Sequence, residues 1–454
     1  MKLLAIILGA VLLAVAATAQ PVFVSVCNFD STNGSFPLGR LTLGSDGSLY
    51  GTAKQGGVNG DGTVFRLAAN GTATALASFG SASGLFPVAG LTLGNDGNFY
   101  GTASAGGSAS DGTIFQFKTN GTLTQLTSFT GSNGKSPQAD LTLGRDGNFY
   151  SLTSLGTGTS SFGTVFRVST NGTLATLSSF TNGNGAYPNS ALTQGIDGAF
   201  YGVTPDGGRT NLNSGSGYGT VFKVTTNGVL TPLIYFSNTN GYYPAGALTL
   251  GNDGYFYGTT EFGGSNNLGT VFKINTNGVL TVLASFAGTN GNYPVGALLS
   301  GYDGSFYGVT YQGGSGGYGT VFRVTTNGAI STLVNFANTN GAYPKTGLVV
   351  GGDGNYYGTT YFGGNLSLNS GSGYGTIYKL VLPATSALWI TNPTVSNRVF
   401  SATVTGSASA SIQIQYTTNL PPAWNTLTNL VFTTGSAQFT DTATNSHRFY
   451  RAVQ

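Results

Sequence analysis

The sequence predicts an all-β protein: a seven-bladed β-propeller with four-stranded blades, closed by an N-terminal strand and followed by a small C-terminal β-sandwich. Three observations lead there. First, an Asp-Gly pair recurs at Asp46, Asp96, Asp146, Asp197, Asp253, Asp303 and Asp353, so successive copies are 50, 50, 51, 56, 50 and 50 residues apart. A fixed period in this range marks solenoids, propellers or arrays. Second, each copy holds four short apolar runs separated by turn residues. Third, a strand missing from the last copy turns up at the start of the chain.

The copy beginning at Gly246 shows the four runs as Leu248–Leu250, Phe256–Thr260, Thr270–Ile274 and Val279–Phe286. Between them lie Asn252-Asp253-Gly254, a Gly-Gly loop and Asn277-Gly278. Asp-Gly and Asn-Gly supply the positive φ angles that tight hairpins need. The runs therefore read as antiparallel strands, A to D. Two tight hairpins per copy disfavour a parallel β-helix. The signature tryptophan of other propeller repeats is missing, since Trp389 and Trp424 both lie beyond the last copy.

The seventh copy runs from its third strand into Pro383 with no fourth. Val22–Phe29, followed by a loop ending in Phe36-Pro37, matches Leu333–Phe336 and the loop ending in Tyr343-Pro344. An N-terminal D strand pairing near Thr376–Leu380 would remove the open edge of a linear array.

Residues 1–20 have a Lys2 start, an apolar run and Ala-Thr-Ala before Gln20. This is the pattern of a secretory signal peptide, and the run is shorter than the ~18 residues of a spanning helix. No membrane span is expected after its removal. The propeller is placed at 21–383 and the sandwich at 384–454, with Pro383 and Pro393 marking the linker and its exit. Cys27 is the single cysteine, so no intramolecular disulfide forms, and a buried thiol in the closing strand is expected. A net charge of +3 over 454 residues excludes a basic nucleic-acid surface. With 12% aromatic residues and a strict period, the chain is globular despite 74 glycines.

The motif LTLGNDGYFYGTTEFGG, followed by GTVFKINTNG, resembles the tandem repeat of the GloVer repeat proteins, exported bacterial proteins with varied C-terminal anchors. The resemblance covers roughly residues 30–380. It implies export and a repeat architecture, and it brings no established activity and no catalytic residues. Copy three departs, with Tyr150-Ser151-Leu152 and Gly156-Thr157, so a distorted blade is expected there. The C-terminal segment resembles the terminal β domains of exported proteins.

Several positions recur once per copy, as structural roles do. Each turn Asp is expected to bond nearby backbone N–H groups and to pair with a strand-C basic residue: Arg66, Arg167, Lys223, Lys273, Arg323 or Lys379, with Gln116 in copy two. Tyr50, Tyr100, Tyr150, Tyr201, Tyr257, Tyr307 and Tyr357 share one strand-B position and are expected in the core. Alternation of strand direction puts the Asp-Gly and Asn-Gly hairpins on one face. The Gly-Gly and D-to-A loops share the other, the loop face, where function is expected.

The catalytic inventory is thin. Fourteen acids include the seven turn Asp residues, and His447, the only His, lies in the terminal segment. A Ser-His-Asp triad and a His-based zinc site in the propeller are excluded. The Gly-Gly loops precede strands rather than helices, which argues against a phosphate cradle. No cofactor, metal or catalytic residue is assigned. Asp206 and Glu261, in loops of adjacent blades, are the acids an enzyme would use. Arg40 and Asp140 replace small residues near the central axis, as channel guards or, preferably, as exposed charges. The longer loops Arg209–Tyr218 and Asn365–Tyr374 read as mobile Gly/Ser-rich arms. Six aromatics precede the Pro of the D-to-A loop: Phe36, Phe86, Tyr187, Tyr243, Tyr293 and Tyr343, with Ser136 in copy three. A residue before Pro is expected to be extended. Their rings either pack between blades, the preferred reading, or form a sugar-stacking platform around the channel entrance.

The expected function is an exported, non-catalytic binding or cell-surface protein, monomeric, with a polysaccharide or cell-surface component as partner. The alternatives are an extracellular carbohydrate-active enzyme with acids on the loop face, and a purely structural envelope or matrix component.

Overall fold

The computed structural model describes residues 20–156, 161–209 and 211–383, and beyond them six backbone strands between 389 and 453. The expected signal segment up to residue 19 and His447 lie outside the described residues.

Seven antiparallel sheets follow the repeat. In blade one the strands A to D are Thr42–Leu43, Leu49–Ala53, Thr63–Leu67 and Ala73–Ser78, paired in chain order. Blade five has Thr249–Leu250, Phe256–Thr260, Thr270–Ile274 and Leu280–Ser285, within a residue or so of the apolar runs. Blade three keeps its full B–C register, from Phe149 opposite Val168 to Thr153 opposite Thr164. The expected distortion is absent. Instead its strand B runs on to Leu155 and pairs with an added strand, Lys135–Pro137.

Val22–Asn28 pairs antiparallel with Thr376–Val381, Val22 opposite Val381 and Asn28 opposite Thr376. It supplies the outer strand of blade seven and closes the ring. A register shift between Ser25 and Cys27 leaves Cys27 only half-buried, rather than the buried thiol expected of a regular inward-facing position.

The core lies between blades. Each strand-B tyrosine donates its hydroxyl to the turn Asp of its own blade, at 2.7 to 3.0 Å in all seven. Asp46 Oδ1 also accepts the Ser48 N–H, as expected of a turn Asp. The tyrosine ring packs on the next blade: Tyr150 on Phe200 at 4.2 Å, Tyr201 on Phe256 at 4.2 Å, and Tyr257 on Phe306 at 4.0 Å between centroids. At the seam between blades seven and one the aromatic partner is replaced by Leu49, and Tyr357 is half-buried where its counterparts are buried. Glycine follows the tyrosine because strand C crowds it. A Cβ on Gly258 would stand 2.6 Å from Phe272 Cζ. Strand-A threonines add polar links between blades, as when Thr249 Oγ1 donates to the Leu298 carbonyl at 2.6 Å.

The expected Asp–basic pair forms in four blades: Arg66–Asp46 at 3.1 Å, Lys223–Asp197 at 2.8 Å, Arg323–Asp303 at 2.7 Å and Lys379–Asp353 at 2.7 Å. It is not one per blade. Lys273 sits 4.8 Å from the Tyr255 ring centroid, and Gln116 donates to the Tyr100 hydroxyl at 2.8 Å. Half-exposed pairs of this kind contribute ~0–1 kcal/mol each.

The longer loops of blades four and seven are not free arms. Each makes a short turn, Asn213–Gly215 or Asn369–Gly371, and folds back on its Gly-Gly corner. The Gly207 N–H donates to the Ser216 carbonyl at 2.6 Å, and the Gly363 N–H to Ser372 at 2.8 Å.

The C-terminal strands form two three-stranded antiparallel sheets. One contains Trp389–Ser396, Val399–Thr405 and Ser436–Thr442; the other Asn425–Val431, Ser411–Thr417 and Phe449–Val453. Pro393 lies inside the first strand, at a register break between Thr391 and Thr394, not at a linker exit. A break is where a strand tolerates proline.

Truncating Tyr257 to Ala removes a buried ring from an inter-blade stack and should cost about 3–5 kcal/mol; a thermal midpoint that barely moves would show the ring is not packed. A second substitution should act the other way. Tyr378 fills the strand-C position that is Phe in the other six copies, and its buried hydroxyl has no hydrogen-bond partner. Tyr378→Phe should stabilise by about 1 kcal/mol, read as a higher denaturant midpoint at unchanged slope.

Candidate functional site

The D-to-A segments bring the chain to the axis, and the residue before each Pro sets their path. These residues are not extended. Phe36, Phe86, Ser136, Tyr187, Tyr243, Tyr293 and Tyr343 have φ between +51° and +58°. The left-handed backbone serves two blades at once. The Tyr243 N–H donates to the Tyr218 carbonyl of the preceding blade at 3.1 Å, while its own carbonyl accepts the Glu261 N–H at 3.0 Å. A non-glycine residue held there costs about 1–3 kcal/mol, offset by hydrogen bonds that stitch the loop face together.

Inside this stitching the ring encloses a cavity of about 590 Å³ at the channel mouth. The residue after each Pro lines it, one per blade: Leu38, Val88, Gln138, Asn189, Ala245, Val295 and Lys345. Two residues further on, Arg40 and Asp140 line it as well. Among the described residues, the B-to-C side lines it from blades five and six, through the loop residues Glu261 and Phe262 and through Tyr311 and Gln312 at the end of strand B. The mouth is therefore lopsided. Blades five to seven present rings with one acid and one lysine; blades three and four present amides and a serine.

Arg40 and Asp140 are not the exposed charges expected. The Gly90 N–H donates to Asp140 Oδ1 at 2.6 Å, and Arg40 Nε donates to the Leu348 carbonyl at 3.2 Å. Blades packing around them leave both half-buried. Burial pushes the Asp140 carboxyl up, against the Gly90 N–H and Arg40, and pushes the Arg40 guanidinium down, against Asp140. Small residues on the neighbouring blades leave room for the two side chains.

Glu261 lines the cavity, and burial pushes its carboxyl up to about 7, with Lys345 opposing. Burial pushes the Lys345 ammonium down, against the pull of Glu261. That ammonium lies 5.1 Å from the Tyr311 centroid and 4.7 Å from that of Tyr361. Two buried polar atoms of the lining, Asn189 Oδ1 and Ser190 Oγ, have no hydrogen-bond partner.

Of the six aromatics before Pro, only Tyr293 lines the cavity, its ring 5.0 Å from Phe262. The rest sit between loops. Phe36 lies 5.2 Å from Tyr361, and Tyr343 lies 5.1 Å from Tyr311. Tyr243 lies 6.1 Å from Phe262, and Phe86 is half-buried. Tyr187 is 40% exposed beside Phe162. Asp206 and Glu261 do not meet in the cavity. Asp206 occupies the loop position of Phe262, shown by the matching bridges Ala186–Asp206 and Tyr242–Phe262, while Pro205 stands where Glu261 does. Burial pushes the Asp206 carboxyl up, but the residue is outside the lining. The acid that shares the cavity with Glu261 is Asp140. Sequence reasoning missed the lining position after Pro. Its signal was variety: Leu, Val, Gln, Asn, Ala, Val and Lys at one register of an otherwise uniform repeat.

Among the described residues no cluster of His, Cys, Asp and Glu could hold a metal ion, and no helix is long and apolar enough to cross a membrane. Two tandem matches to the Gloeobacter/Verrucomicrobia repeat cover residues 14–215 and 208–415. The chain belongs to that family. In this Gloeobacter/Verrucomicrobia repeat protein each match spans several blades. No curated protein matches it. Among solved structures it is similar to puromycin hydrolase, at 12% identity and a TM-score of 0.50, covering 86% of this chain and 62% of that one. The chain thus spans less than two thirds of that enzyme, and the likeness concerns the fold. It is also similar to a polysaccharide lyase described as an ulvan lyase, at 10% identity and a TM-score of 0.47, covering 78% and 95%. A protein of unknown function from Dyadobacter fermentans is similar at 10% identity and a TM-score of 0.44, covering 80% and 99%.

The Glu261 carboxyl gives a signed pH dependence. Between the unfolded value of about 4.3 and the folded value of about 7 the native state holds the extra proton, so stability falls as pH rises through that window. Glu261→Gln, which cannot ionise, should gain thermal stability over the parent as pH rises from 5 to 8. A difference independent of pH would mean that Glu261 titrates as it does in water.

Proposed function

We propose that this is an exported, non-catalytic binding protein that holds a saccharide in the loop-face cavity. The observation that carries the reading is the lining itself. A space of about 590 Å³ is walled on one side by Tyr293, Phe262 and Tyr311, and on the other by Gln138, Asn189 and Ser190. Ligand pockets of about 300–1,000 Å³ are built this way, from apolar walls with a few convergent polar groups. Sugars offer both an apolar face for rings and hydroxyls for amides. In this reading residues 1–20 are a signal peptide, the protein works outside the cytoplasm as a monomer, and the two C-terminal sheets form a sandwich that attaches or orients the propeller.

One observation favours a second reading, a carbohydrate-active enzyme. Glu261, its carboxyl pushed up to about 7, shares the cavity with Asp140. A carboxyl protonated near neutral pH is what a general acid needs. Turnover on a polysaccharide panel, abolished by Glu261→Gln, would establish it over the first.

For the binding reading, a glycan array with the full chain should retain a defined set of saccharides. Replacing Tyr293 and Tyr311 together by Ala should weaken the best of them about tenfold or more, since aromatic contacts are worth about 0.5–1.5 kcal/mol each beyond area. Tyr187→Ala, on an exposed ring outside the lining, should leave binding unchanged. An empty array, or equal loss in both variants, would sink the reading.

A further inference from the structure

Lys345 stands at the seam between blades six and seven, over one ring from each, and Lys54 stands one blade further on. Lys345 enters from the D-to-A segment before blade seven. Lys54 stands at the start of the B-to-C loop of blade one, where its N–H donates to the Phe36 carbonyl at 3.2 Å. The copies vary at these two positions. The two lysines are close enough for Lys54 to act unfavourably on the Lys345 ammonium. Among the described residues neither has a carboxylate within 4.0 Å, whereas the strand-C cations of four blades do.

What holds Lys345 is a pair of ring faces. Its ammonium lies over Tyr311 and Tyr361, at 5.1 and 4.7 Å. Cation–π attraction keeps the charge in place, but ring faces accept none of the three N–H donors as an anion would. Glu261 acts on Lys345 only from beyond ion-pair distance. Deeper in the same cavity Arg40 is balanced by Asp140. The mouth at this seam is therefore positive.

We infer that the saccharide taken by the cavity is acidic, and that its carboxylate or sulfate group sits at Lys345, with Lys54 at the rim. This rests on the reading of the cavity as a saccharide site and names the class of sugar. Such a group would separate the two lysines electrostatically and give Lys345 the acceptor it lacks. The neighbouring rings Tyr293 and Tyr311 would carry the sugar's apolar face, and the exposed amide of Gln138 would meet its hydroxyls.

The test uses the full chain with polygalacturonate, dextran sulfate and neutral dextran, alongside the glycan array, at low and high salt. At least one acidic polymer should bind, more weakly at high salt, and dextran should not; which acidic polymer binds separates carboxylate from sulfate. Lys345→Gln should weaken that binding about tenfold or more, the usual worth of a hydrogen bond to a charged group. Lys118→Gln, an exposed lysine on the hairpin face, should leave it unchanged. Equal losses in the two variants would reduce the effect to non-specific charge and overturn the inference. Retention of neutral glycans alone would overturn it while sparing the saccharide reading. Retention of no glycan at all would remove both. Thermal melting of each variant separates lost binding from lost folding.

Discussion

The ring depends on where one buried hydroxyl finds its partner. Burying a tyrosine whole costs stability unless its O–H is satisfied. The strand-B tyrosine meets that demand inside its own blade, at the Asp of the A–B turn. The bond fixes the direction of the ring, and in six blades the ring then lies against an aromatic of the next. One side chain thus joins the polar order of a hairpin to the apolar order between hairpins. Strand length matters little beside this. Most A strands are two residues long, and the blades are held as much by these stacks and the threonine links as by their own ladders.

Much of what recurs seven times was legible in the sequence, because a period carries its own check. The turn Asp, the core tyrosine, the strand ends and the closing strand could each be read from spacing alone. Features set by neighbouring blades were harder. The left-handed residues before Pro could not be foreseen, because their conformation answers to a carbonyl of the preceding blade, about 25 residues earlier in the chain, as for Tyr243 and Tyr218. Local preference pointed to extended backbone and tertiary hydrogen bonding overrode it. Arg40 and Asp140 were misjudged for a related reason. Their partial burial and their partners come from neighbouring blades, through Leu348 and Gly90, and no local pattern encodes it.

The same contrast separates scaffold from site. A propeller multiplies one solution by seven, so chemistry arises where the copies disagree. The register after Pro is such a place, as is the first residue of the B-to-C loop, where Lys54, Glu261, Tyr311 and Tyr361 stand at equivalent points. A lysine, a glutamate and two tyrosines on one frame give the mouth its lopsided character. The pairing of Asp206 with Glu261 treated neighbouring loops as equivalent; the blade-five loop lines the cavity through Glu261 and Phe262, whereas Pro205 and Asp206 at the same positions of blade four stay outside it.

The swapped outer strand of blade seven has a consequence in time. Val22 pairs with Val381, so nearly the whole propeller separates the two partners. The entropy of closing so long a loop grows only logarithmically with its length, and the finished ring bears that cost easily. The order of events is another matter. Blades one to six can assemble as the chain lengthens, each on its predecessor, while the first strand waits unpaired until the last strand exists. During that interval a β edge stays open at each end of a growing arc. Such edges recruit other strands indiscriminately, and long-range pairings form late. The most vulnerable species in the life of this protein is then the almost complete ring, six blades built and the seventh still lacking its outer strand.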